Sequence, residues 1–109
     1  MLFCIEGEYT PAAMVALREK PSNRGEAVAK LCKAAGGKMV AVYGILGNGP
    51  GAMAIIDVDP SVGPSIASII ASSGQVQNVR VRRLFTMEEV TGFRQKAKEL
   101  AGAYKAPGQ

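Results

Sequence analysis

A chain of 109 residues, 48% hydrophobic and 20% charged, is long enough for one packed domain and too apolar for a disordered one. Its net charge of +4 comes from thirteen Lys and Arg residues scattered along the sequence, which points to a solvated surface rather than a nucleic-acid footprint. The absence of histidine removes the usual general base, the Ser-His and Cys-His nucleophile pairs, and the commonest transition-metal ligand.

The opening residues Met1-Leu2-Phe3-Cys4-Ile5-Glu6 lack a basic n-region and reach an acid too early for a signal peptide. No run of 18 apolar residues follows anywhere, so no transmembrane helix is expected, and a cytoplasmic setting is. Cys4 and Cys32 stand far apart, with no CxxC pair, and are expected to be small buried hydrophobes rather than a disulfide. Residues 2–9 read as a first strand. Thr10-Pro11 then has the form of an N-cap followed by proline at the first helical position, so a helix is expected over 12–19. Pro21-Ser22-Asn23 interrupts it, and Ser22 or Asn23 can cap a second piece over 24–35 with Val28, Leu31 and Cys32 at helical spacing. Gly36-Gly37 stops that piece.

Residues 38–46 form an apolar, β-branched stretch too short for a convincing helix. Gly47-Asn48-Gly49-Pro50-Gly51 is a turn and 52–58 returns from it, which makes a β-hairpin. Joining two strands, and lacking both the P-loop lysine and a following helix, the turn reads as a flexible tip rather than a phosphate cradle. It could also serve as a lid. Asp57 and Asp59 ahead of Pro60 suit turn capping better than a metal site, and no metal or other cofactor is expected. Ser61 or Pro60 opens the next helix, which carries Ile66, Ile69 and Ile70 on one face over 65–73. Gly74 ends it.

Gly74 to Thr86 is the most informative stretch. From Val79 on it alternates, with Val79 and Val81 pointing one way and Arg80 and Arg82 the other, as a strand requires. The valines need a core. The arginines need water, a carboxylate or an anionic ligand, and Glu6 or Glu8 of the first strand could reach them as ion-pair partners. Thr86 followed by Glu88 and Glu89 reads as a helix start, and the helix to about residue 103 carries Val90, Phe93, Ala97 and Leu100 as its stripe. Residues 1–104 thus form one domain and 105–109 a polar tail.

The element order β-α-β-β-α-β-α implies an α+β, ferredoxin-like fold: a four-stranded antiparallel sheet in the order 4-1-3-2 with helices on one face. The other face is left bare, yet the hairpin strands are too apolar for it to be fully wet. The simplest cover is a second copy across a two-fold, enclosing a cavity between two sheets. Arg80 and Arg82 would then line that cavity as contacts for a small anionic molecule. Tyr9 and Tyr43 are expected to be buried with their hydroxyls hydrogen-bonded. If Tyr43 instead faces the cavity, Tyr43 and Glu6 become candidate catalytic acid and base. An RNA-binding sheet is disfavoured because 52–58 has no aromatic to stack on a base.

Tyr9-Thr10, Ala34-Ala35-Gly36-Gly37-Lys38, Tyr43, the turn at Gly47 and the segment from Asn78-Val79-Arg80 through Phe85-Thr86 to Glu88-Glu89 together resemble the GYD-domain family. The resemblance covers about residues 5 to 100. It implies a small protein of the dimeric α/β-barrel type and brings no defined activity with it. Cofactor-independent oxygenases, isomerases and decarboxylases occur on that scaffold. The family is named for a Gly-Tyr-Asp at the hairpin; here Gly47 is followed by Asn48-Gly49-Pro50-Gly51, so no role of that Tyr and Asp carries over. Three readings remain: a homo-oligomer binding a small, anionic molecule between its sheets, a cofactor-free monooxygenase or isomerase, or a self-assembling structural protein.

Overall fold

In β1 (Leu2–Tyr9), Phe3 and Ile5 are buried while Cys4 between them and Glu6 after them are not, so one side of the strand belongs to a core. The computed structural model, which describes residues 1–109, carries this alternation across four strands: β1, β2 (Lys38–Ile45), β3 (Gly51–Asp57) and β4 (Val76–Leu84). All pairings are antiparallel, in the order β2-β3-β1-β4, which is the ferredoxin-like arrangement expected. Helices α1 (Pro11–Glu19), α2 (Arg24–Ala34) and α3 (Gly63–Ser72) connect them, and α4 (Met87–Leu100) with a short 3-10 turn follows β4. No helix is long and apolar enough to cross a membrane.

The local signals act as the sequence implies. The Thr10 hydroxyl accepts from the backbone N–H of Ala13, and the Asn23 side chain accepts from those of Gly25 and Glu26, restarting the helix that Pro21 stops. Gly36 takes φ +81° after α2, the left-handed exit that glycine makes without strain. Asp59 accepts from both the N–H and the hydroxyl of Ser61, the turn-capping role expected of it. The next helix runs over 63–72, and its N-cap is Val62 rather than the expected Ser61 or Pro60, with Pro64 in its first turn, while Ser61 hydrogen-bonds Asp59. Its start therefore has no side-chain cap.

The core lies between the sheet and α2 and α3. Phe3, Ile5, Ala54, Ile56, Val58, Cys32 and Ile66 form it, with Val79 and Val81 packed against its margin. Burial pushes the Cys32 thiol above its usual range, so it behaves as an apolar side chain. Cys4 corrects the expectation of two buried cysteines, because it falls on the other side of β1 and is partly exposed. Both are free thiols. Helix α4 buries none of its residues. Its base is fastened by the edge-to-face pair Phe85–Phe93 at 5.0 Å and by Arg83 stacked 4.3 Å over Phe85. Beyond that point Leu100 is exposed.

Candidate functional site

Strand register decides which side chains share the sheet face away from the core. Cys4 opposes Ile55 and Arg82, and Glu6 opposes Met53 and Arg80. On the far side of β3, Ala41 opposes Ile55 and Tyr43 opposes Met53. The open face therefore carries one row Ala41–Ile55–Cys4–Arg82 and a second row Tyr43–Met53–Glu6–Arg80. All four residues singled out in the sequence, Arg80, Arg82, Glu6 and Tyr43, lie on this face. Tyr43 is 60% exposed there and not buried, which overturns the ordinary expectation for a strand tyrosine. It lies on the second strand from Glu6, about 10 Å away at the usual strand spacing, so the two do not touch across Met53.

The two arginines differ. Arg82 donates from Nη2 to Glu6 Oε2 at 2.9 Å, diagonally across the β1–β4 pair. Both partners keep access to water, and an ion pair of this kind contributes only about 0.2–1 kcal/mol. Arg80, although directly opposite Glu6, has no ion pair and no side-chain hydrogen bond. A guanidinium on the open face that no carboxylate pairs directly is the group on this face best able to meet an anionic ligand.

The hairpin turn closes one end of this face. The backbone N–H of Tyr9 donates to the Pro50 carbonyl at 2.8 Å, which holds the turn beside the end of β1. Gly49, at φ +67°, then passes the Glu8 carboxylate so closely that a Cβ there would collide with it. A depression of about 120 Å³ results, bounded by Glu6, Glu8, Asn48, Gly49, Asn78 and Arg80. Sequence reasoning left Asn78 without a role in it. Asn78 stands at φ +53° where the β1–β4 register shifts between Glu6 and Glu8, and its side-chain amide donates to Glu8. The available signal was an asparagine, a residue tolerant of positive φ, just before the strict alternation begins. The bulge gives Glu8 the Asn78 amide as its hydrogen-bond donor, and Glu8 makes no ion pair with Arg80 although its charge stays beside it.

A family model described as GYD domain matches residues 3–93 of the chain. No curated protein matches it.

Proposed function

The chain belongs to the GYD-domain family, and on that footing we propose that it is a homo-oligomeric protein that binds a small anionic molecule against the open face of its sheet. The single observation behind this reading is Arg80: exposed on the open face, opposite Glu6, and left without a direct ion-pair partner because Arg82 pairs with Glu6 and Asn78 donates to Glu8. A second copy laid across the face through Met53, Ile55 and Tyr43 would exclude water and strengthen that charge's hold on a carboxylate or phosphate. Such a pair of sheets is the dimeric α/β-barrel arrangement. The exposed stripe of α4 also supports an oligomer, since a 14-residue helix with no buried residue gains little from its own chain. A cytoplasmic setting suits two free thiols.

The test is a thermal-shift screen of small carboxylates and phosphates, with every hit repeated on Arg80→Met. Loss of the shift in the variant, at unchanged molar mass by light scattering, is the expected result. Undiminished binding would remove Arg80 from the site. The cofactor-free enzyme reading, with Glu6 and Tyr43 handling protons, is favoured by their shared row and disfavoured by Met53 between them and by the Glu6–Arg82 pair. Turnover of a hit, rather than its recovery unchanged, would select it. A purely structural assembly would yield no hit at all.

A further inference from the structure

The helix-covered side of the sheet is graded in size. At one end the cross-strand row is Met39–Ile56–Phe3–Arg83, and in the middle it is Val42–Ala54–Ile5–Val81. Nearest the hairpin turn it shrinks to Gly44–Ala52–Gly7. Three successive inward positions thus contribute one methyl group between them. The layer above is thin at the same place, because Pro21 parts α1 from α2. At that break Gly25 lies so close to Val42 that a Cβ would come within 2.9 Å of its Cγ1. The chain therefore comes down to the sheet at the start of α2 and leaves Gly44 and Ala52 beyond it uncovered, while the Val76 side chain of β4 covers Gly7.

The result is a cavity of about 380 Å³ between the sheet and its own helices. Its walls are apolar, Val28 of α2 and Ile70 of α3 facing Val79 of β4. Its polar lining includes Tyr9, Asn23, Arg24 and Tyr43, and Arg24 is exposed to solvent. Arg24, like Arg80, has no ion pair or side-chain hydrogen bond; the cap of α2 uses Asn23 instead. Apolar volume left empty forfeits dispersion contacts in proportion to its size, and an occupant restores them. The volume also falls within the range of about 300–1,000 Å³ typical of ligand pockets.

We propose that this cavity is a second binding site, on the opposite side of the sheet from Arg80, which takes a small hydrophobic molecule with one anionic end. The apolar body lies over Gly44 and Ala52 and against Val76, and the anionic end meets the Arg24 guanidinium. The site requires no second copy, although Tyr43 of the open face also contributes to its lining.

Titration of the full chain with 1-anilinonaphthalene-8-sulfonate, followed by displacement with decanoate and with decanol, tests it. One saturable probe site per chain is expected, with decanoate displacing the probe at several-fold lower concentration than decanol. Ala52→Leu fills the cavity and should weaken both competitors at least tenfold. Should that variant not fold, Arg24→Gln, on an exposed position, should erase the preference for decanoate over decanol. Absence of saturable binding overturns the proposal, as does Ala52→Leu binding like the parent. If Arg80→Met abolishes decanoate binding while Ala52→Leu does not, the probe occupies the open face: the cavity site is then wrong and the reading of Arg80 survives.

Discussion

The Glu89 carboxylate, just beyond β4, shows how a single residue sets local electrostatics in this molecule. Glu89 accepts from the backbone N–H of Thr86 at 3.0 Å while the Thr86 hydroxyl accepts from Glu89 N–H, a reciprocal cap on α4. The Thr86 N–H, with smaller help from the Thr86 hydroxyl and Arg83, holds the Glu89 carboxyl below its usual range. A carboxylate whose pKa is lower folded than unfolded stabilises the fold fully above the unfolded value, and that contribution disappears as pH falls through the folded one. Amide exchange in the first turn of α4 should therefore quicken as pH is lowered from the ordinary value of 4.5, after correction for intrinsic rates, and Glu89→Gln should lessen that dependence. An identical pH profile in the variant would assign the loss to other acids. Gly51 supports a prediction of another kind. It is buried, and a Cβ there would run into the Gly7 carbonyl of β1. Gly51→Ala should cost about 1–3 kcal/mol, read as a lower urea midpoint, because backbone rather than a pliable side chain must move.

At the level of elements, the caps, the break at Pro21 and the hairpin were all legible because each rests on residues within a few positions of one another. Thr10-Pro11, Asn23 and Thr86-x-x-Glu89 announce helix starts that the fold uses. Strand order followed from these elements and from chirality rules. The alternation at Val79 to Arg82 correctly separated core from open face, and it placed Arg80 and Glu6 within reach. What stayed hidden depends on register between distant strands: the bulge at Asn78, its claim on Glu8, and the choice of Arg82 over Arg80 by Glu6. A side chain two residues along the partner strand can win over the one directly opposite, and no local pattern encodes that. Helix α4 was legible as amphipathic but not as unpartnered. Deleting residues 87–109 should leave the far-UV signature of the sheet and α1–α3 intact, since α4 contributes no buried residue. Complete unfolding of the shortened chain would mean that α4 supports the core after all.

Taken whole, the molecule is stretched. A compact chain of this length would have a radius of gyration of about 13 Å, whereas this one has 17.7 Å and a long axis of 58 Å. Both the extended arm and the bare sheet face fit a subunit better than a finished particle. The areas say how they would combine. Four strands of about eight residues present roughly 500 Å² on one face, using ordinary strand spacing and rise. That is less than the roughly 800 Å² per partner of a standard stable interface. Sheet against sheet alone would therefore associate weakly, and burying the Phe93 and Leu100 stripe of α4 on the same partner would bring the total near the standard size. Ile55, central on the open face between Met53, Cys4 and Ala41, is the position where a charge disturbs such a contact most and the core least. Ile55→Lys should lower the molar mass measured by light scattering to that of a single chain at micromolar concentration, with the circular dichroism of the parent. Removal of α4 should weaken association without abolishing it at high concentration. If Ile55→Lys keeps the parent's oligomeric mass while loss of α4 alone yields monomers, the arm and not the sheet makes the assembly. Arg80 would then face water, without the enclosure that gives its charge force.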